Sequence, residues 1–294
     1  MTAPIYGRVA LIGLGLIGSS MAWAARRSGA AAEIVGYARS AATRERASEL
    51  GFCDHVTASA AEAAEGADLV VLCVPVGVCG EVAAEIAPAL SPGATVTDVG
   101  SVKQAVIDGV APHLPKGIHF VPGHPMAGTE HSGPDSGFAE LFDNRWTLLT
   151  PPTNTDPAAT DRLARFWQSL GANTQQMEAE HHDLVCAVIS HVPHVIAYTM
   201  CGVADDMKRI TDQEVVQFSA AGFRDFTRIA ASDPTMWRDV FLSNREATIE
   251  VLGRFVEELM SLQRAIRTGD GDHLYDYFTR TRSIRRSIID AGQD

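Results

Sequence analysis

Basic residues are scarce in this chain: 24 lysines and arginines stand against 36 aspartates and glutamates, a formal net charge of −12 at pH 7. That balance argues against a nucleic acid or an anionic membrane surface as partner. It also means that an anionic ligand needs a local basic site, so single arginines become informative. Cysteines are few and odd in number (Cys53, Cys73, Cys79, Cys186, Cys201), and no two have Cys-x-x-Cys spacing. A disulfide framework and a zinc site are therefore not expected; reduced thiols in the core of a cytoplasmic protein are. The chain also lacks internal repeats, low-complexity tracts and a charged tail. No segment is expected to supply the ~20 apolar residues of a membrane span. The apolar stretch 9–25, with Ala22-Trp23-Ala24 resembling a leader cleavage site, is broken by glycines and runs into Arg26-Arg27, so it reads as part of a folded unit. A length of 294 residues suits two domains with an ample core.

What the chain does have begins with Arg8-Val-Ala-Leu-Ile-Gly13, which reads as a buried parallel strand. It runs into Gly13-Leu-Gly15-Leu-Ile-Gly18, a helix from Leu16 to Ser28, and a second strand at residues 33–37. Gly-x-Gly-x-x-Gly alone is a weak signal, but a strand before it and a helix and strand after it make a dinucleotide-binding βαβ unit. Gly13 allows the tight turn, Gly15 the close approach of a pyrophosphate, and Gly18 the packing of helix on strand; Leu16 and Ile17 open the helix whose N–H groups face the phosphates. An acidic residue closing the second strand would bind the ribose of NAD. Here the residues are Ala38, Arg39 and Ser40. Arg39 has two roles open to it, facing a 2′-phosphate or stacking on adenine, so NAD and NADP both remain possible.

Residues 67–75 form a third buried strand, whose closing turn, Val74-Pro75, is expected to lie over the cofactor. Residues 94–98 form a fourth, followed by Asp98-Val-Gly-Ser101-Val-Lys103 and a helix over 103–110. Ser101 reads either as an N-cap or as a hydrogen-bond partner for a reactive hydroxyl. Next comes Gly123-His124-Pro125-Met126-Ala127-Gly128-Thr129-Glu130, expected as a shaped loop because Pro125 cannot donate to a ladder and Gly128 permits a positive φ. A histidine at the carboxyl end of a strand is placed for chemistry. Strands at 145–150 and 174–177, with a helix over 158–170 between them, complete a domain at residues 1–178.

After Glu178 strand-like runs vanish. Ile249, Leu252, Val256 and Leu259 recur at three- and four-residue steps, so residues 179–294 read as an α-helical domain with a dimer surface. Ser190-His191-Val-Pro-His194 and His181-His182-Asp183 lack clear metal-ligand spacing, and no metal is expected. In Gly222-Phe-Arg224-Asp225-Phe-Thr-Arg228, Asp225 can pair with Arg224 and leave Arg228 to meet a carboxylate. Trp237 begins a helix after Asp233-Pro234.

Together these motifs resemble the prephenate/arogenate (cyclohexadienyl) dehydrogenase family of tyrosine biosynthesis: residues 13–18, 98–103, 123–130, 190–194, 222–230 and 237–244 match in family order. The resemblance implies an α/β Rossmann-type dinucleotide-binding domain followed by an all-α dimerisation and substrate domain. It implies oxidative decarboxylation of prephenate or arogenate with hydride transfer to NAD or NADP in a cytoplasmic homodimer. By resemblance His124 is the catalytic histidine and Ser101 assists it. Arg228 holds a substrate carboxylate, His194 binds the substrate side chain with Ser190 close by, Glu130 is a gating acid, and Trp237 reaches in from the partner subunit. Two other classes share parts of the pattern. A β-hydroxyacid dehydrogenase would centre its chemistry on a lysine in the helical domain, where Lys208 stands without a motif. A non-catalytic dinucleotide sensor would not need His124, Ser101 and Arg228 together.

Overall fold

In a computed structural model, residues 3–129, 131–206 and 220–290 are described. Six parallel strands form the first sheet: β1 Tyr6–Ile12, β2 Ala31–Tyr37, β3 His55–Val56, β4 Leu69–Leu72, β5 Thr95–Asp98 and β6 His119–Phe120, in the order β3-β2-β1-β4-β5-β6. Helices connect them, α1 Leu16–Ser28, α2 Ala41–Leu50, α3 Ala60–Ala64, α4 Cys79–Ile86 and α5 Lys103–Val110. The central strands are apolar at successive positions because both faces are covered. Val9, Leu11, Leu69 and Val71 pack with Met21, Phe142 and Trp167 on one face. Ala10, Ile12, Val70 and Leu72 pack with Ala83, Ile86 and Val106 on the other.

A second sheet has the order β7-β8-β9, from β7 Gly123–Pro125, β8 Trp146–Leu149 and β9 Asn173–Gln176, with helix α6 Pro157–Ser169 between the last two. The expectation of a loop around His124 is corrected here. Residues 123–125 pair antiparallel with β8, His124 opposite Leu148 and Pro125 opposite Thr147. Backbone bonds flank the proline from Thr150 N to Pro122 O (2.9 Å) and from Met126 N to Trp146 O (2.7 Å). Pro125 therefore occupies a non-hydrogen-bonded position of an edge strand, where its missing N–H costs nothing.

After Gln176 every described element is helical. Helix α7 Ala179–Cys186 passes through a π-turn at Ala187–His191 into α8 Val192–Asp206. Pro193 cannot donate to the carbonyl four residues back, and widening the preceding turn accommodates it. The run Ala179–Asp206 contains an 18-residue window of mean hydropathy 1.6 and is, by length and composition, long and apolar enough to cross a membrane. The expectation that no segment reaches that length is thus overturned by the fusion of two shorter segments. His182, Asp183 and His191 on this run are nonetheless buried and hydrogen-bonded within the protein. Shorter helices follow at Ala221–Thr227 and Pro234–Ser243.

The chain divides into two compact units, Met1–Arg245 and Glu246–Asp294. The second is made from helices Arg245–Thr268 and Gly271–Asp290. Ile249, Leu259, Met260, Ile266, Phe278 and Ile284 are all more than half exposed there.

Candidate active site

The turn after β1 is shaped by backbone contact. Gly13 has φ +113°, and a Cβ on it would collide with the Cys73 carbonyl; one on Gly18 would collide with the Gly13 carbonyl. A Cβ on Gly15 meets nothing within 4 Å. Gly15 is also the N-cap of α1 and offers no side-chain cap, so the first amides of the helix, from Leu16 to Gly18, receive no capping side chain. Such a cradle suits the phosphates of a dinucleotide, and the sheet order places it where such ligands bind. At the end of β2 Ala38 is buried, and Arg39 is exposed with no side-chain hydrogen bond among the described residues. Ser40 is occupied as the cap of α2, accepting from Thr43 N at 3.5 Å. Val74 and Pro75 form the turn after β4, as expected.

The next strand end carries a buried ion pair. Asp98 and Lys103 are both fully buried, and Lys103 Nζ donates to Asp98 Oδ2. The same ammonium donates to Gly123 O at 2.6 Å, while Asp98 accepts from Gly100 N at 2.8 Å and Gly123 N at 3.1 Å. Both groups thereby hold the backbone immediately before His124. Helix α5 has no cap of its own: Val102 occupies the N-cap position. Asp183, 80 residues away, accepts from Lys103 N at 2.7 Å and Gln104 N at 2.9 Å. Capping is thus removed as a role for Ser101, whose half-buried hydroxyl has no partner among the described residues; no hydrogen bond joins it to His124.

Asp183 Oδ1 also lies 2.8 Å from His182 Nδ1, and His182 Nε2 lies 2.9 Å from His124 Nδ1. This chain of contacts fixes the tautomers. A carboxylate only accepts, so His182 carries its proton on Nδ1 and presents a bare Nε2. His124 must then donate from Nδ1, which leaves its Nε2 lone pair free. Burial, reinforced by His182 and then Lys103, holds the pKa of His124 well below the ordinary histidine value. Burial also lowers that of His182, with the Asp183 hydrogen bond opposing it. Both rings are neutral near pH 7, and a neutral imidazole with an open nitrogen is a general base.

Two models of known families match this chain: prephenate dehydrogenase, nucleotide-binding domain, over residues 21–176, and prephenate dehydrogenase, dimerization domain, over residues 178–280. The chain belongs to the prephenate dehydrogenase family. It is 42% identical over 284 residues to the cyclohexadienyl dehydrogenase of Zymomonas mobilis, covering 97% of each chain. It is 34% identical to the prephenate dehydrogenase of Bacillus subtilis, covering 95% of this chain and 76% of that one. Among solved structures, prephenate dehydrogenase from Aquifex aeolicus in complex with hydroxyphenyl propionate and NAD+ superposes with a TM-score of 0.88 at 35% identity, covering 96% of this chain and 98% of that one. Synechocystis arogenate dehydrogenase superposes with a TM-score of 0.79 at 28% identity, covering 95% and 99%.

The residues that the family resemblance assigns to substrate gather on and beside α8. His194 Nδ1 donates to Ser190 O at 2.8 Å, leaving Nε2 available. Arg228 begins the short turn Arg228–Ala231, close enough that its charge lowers the pKa of His194 after the larger effect of burial. Within its own chain Trp237 is 7% exposed, stacked 3.6 Å from the His194 ring and packed against Phe241 and Val102. Glu130 lies outside the described residues. The residues that sequence reasoning missed are the links: Asp98 and Lys103 inside a recognised motif, His182 and Asp183 weighed only as metal ligands, and Asn244. Asn244 Nδ2 donates to Asp183 O at 2.8 Å and to His191 Nδ1 at 3.0 Å, tying this cluster to the Asp183 chain.

Proposed function

We propose that the protein catalyses the oxidative decarboxylation of prephenate to 4-hydroxyphenylpyruvate, of arogenate to tyrosine, or of both, in tyrosine biosynthesis. The observation that carries this reading is the neutral His124 with its Nε2 lone pair left open by the Asp183–His182 chain. NAD(P)+, when bound, supplies the hydride acceptor. His124 Nε2 takes the proton of the ring hydroxyl as hydride leaves the carbon that bears it, and loss of the ring carboxylate as carbon dioxide aromatises the product. Ser101, with an uncommitted hydroxyl, orients that same substrate hydroxyl. Arg228 meets a substrate carboxylate and fixes the ring for transfer, a positioning contribution. His194, Ser190 and Trp237 form the wall against the side chain, and Glu130 is assigned a gating role.

Gly13, Gly15, Leu16, Ile17, Gly18, Val74 and Pro75 are assigned to the dinucleotide. Ala38 offers no acid for a ribose diol, and the exposed Arg39 tolerates a 2′-phosphate, so both NAD and NADP are accepted. Dimerisation through residues 179–294 is supported by the match to a dimerization domain and by the exposed apolar side chains of the last two helices. The cytoplasm fits the five free thiols.

The test is reduced-nicotinamide absorbance with prephenate or arogenate and NAD or NADP in all four pairings. Turnover in at least one pairing is expected, and the strongest pairing identifies substrate and cofactor. A folded protein that binds dinucleotide but stays silent in all four would refute the proposal. In the active pairing, Arg228→Ala should raise KM for the substrate about tenfold or more, in keeping with loss of a charge-assisted contact. An unchanged KM would remove Arg228 from its carboxylate role.

A further inference from the structure

Three donors suited to a soft metal meet behind the open nitrogen of His124. Cys186 follows His182 by four residues on α7, so the thiol and the imidazole share one helix face. Strand β7 brings His124 against both. The separations are 2.9 Å from His124 Nδ1 to His182 Nε2, 3.7 Å from Cys186 Sγ to His124 Nδ1, and 3.4 Å from Cys186 Sγ to His182 Nε2. On a tetrahedral zinc ion with ordinary bond lengths, two imidazole nitrogens sit about 3.3 Å apart and a nitrogen and a thiolate about 3.6 Å apart. The triangle already matches one face of such a tetrahedron to within a few tenths of an ångström. His182 and Cys186 are fully buried, and the 9% exposure of His124 gives the approach.

We propose that His124, His182 and Cys186 form a binding site for a soft divalent cation, zinc foremost, whose occupancy arrests turnover. The donor set of two imidazoles and a thiolate favours zinc or cobalt over magnesium or calcium. Binding takes the Nδ1 lone pair of His124, so the ring proton moves from Nδ1 to Nε2. Cys186 enters as thiolate and its proton leaves to solvent. His124 then presents a donor where turnover needs an acceptor. Arrest falls on kcat and leaves the Gly13–Gly18 loop untouched. The arrest rests on His124 being the base; the binding does not.

The test uses the intact protein after treatment with a chelator. Cobalt titration should produce the near-ultraviolet thiolate-to-cobalt charge-transfer band at one equivalent, and zinc should abolish it. In parallel, zinc should lower kcat at least tenfold, reversibly on adding chelator, while magnesium has no effect. In Cys186→Ser and Cys186→Ala, each compared with its own metal-free rate, the band should vanish and half-inhibition by zinc should need at least tenfold more metal. Absence of the band in the folded wild-type protein, or equal zinc sensitivity in both variants, would overturn the site. A band with undiminished turnover would overturn the arrest, and with it the assignment of His124 as base.

Discussion

Replacing His182 by phenylalanine isolates the contribution of the Asp183–His182 chain. The side chain is fully buried, so a phenyl ring of similar shape keeps the packing while both ring nitrogens disappear. His124 Nδ1 then loses its acceptor at 2.9 Å and is left with the weak, longer contact to Cys186 Sγ at 3.7 Å, while Asp183 keeps its two amide donors from α5. Leaving a buried donor without a partner costs roughly 1–3 kcal/mol. Nothing then fixes the proton on Nδ1, so the cost appears as a smaller fraction of molecules with Nε2 open. At about 1.4 kcal/mol per factor of ten, kcat should fall about 10- to 100-fold. KM for either ligand should change less than about threefold, because His182 is assigned to neither. Steady-state kinetics in the active pairing, with a thermal melt as control for folding, give the answer. A folded His182→Phe protein with wild-type kcat would refute the orienting role.

Lys103→Met should destabilise the protein by about 3–5 kcal/mol in a denaturant titration, because it strands the buried Asp98 carboxylate beside Gly123; a loss under about 1 kcal/mol would sink that argument. Gly15→Ala should raise KM for the dinucleotide with an unchanged melting temperature, whereas Gly18→Ala should lower the melting temperature because its Cβ meets the Gly13 carbonyl. The reverse pattern would contradict the reading of the loop. With its pKa depressed, His124 is active when neutral and is protonated only well below pH 6.5. Hence kcat/KM should stay flat as the pH falls through 6.5; a limb centred there would contradict the buried, neutral assignment. Stability carries the same sign. Burial lowers the pKa of His191 to about 4, so below pH 6.5 the unfolded chain takes up a proton that the folded one refuses. Between pH 6.5 and about 4 this histidine should cost about 3 kcal/mol of stability, read from denaturation midpoints across that window.

Most of the fold was legible because its signals are local. Apolar runs bounded by glycine located the central strands to within a few residues, and the helix over Leu16–Ser28 was read with its observed bounds. His124, His194 and Arg228, to which roles are proposed, stand in short motifs that can be read locally. The connections between them were not, because they join residues far apart in sequence. The N-terminus of α5 is capped from Asp183, and the proton of His124 is placed by a ring 58 residues away. No local spacing encodes such contacts. Pro125 misled for a related reason: whether a proline is tolerated in a strand depends on which side its partner lies. The hydropathy of Ala179–Asp206 was hidden by its histidines and proline, which divide the run by eye although the helix continues through them.

The π-turn at Ala187–His191 sets a limit on how this sequence can change. An α-helix advances about 100° per residue, and the widened turn absorbs one residue's worth of rotation between α7 and α8. His182 and Asp183 precede it; His194 follows it. Substitutions within the turn alter side chains one at a time. Losing a single residue there can be absorbed by closing the π-turn to a regular α-turn, whereas losing one from α7 or α8 would rotate His194 by about 100° relative to His182 and carry it away from Trp237. The length of the flanking helices is therefore fixed by the site, and the turn between them holds one residue of slack.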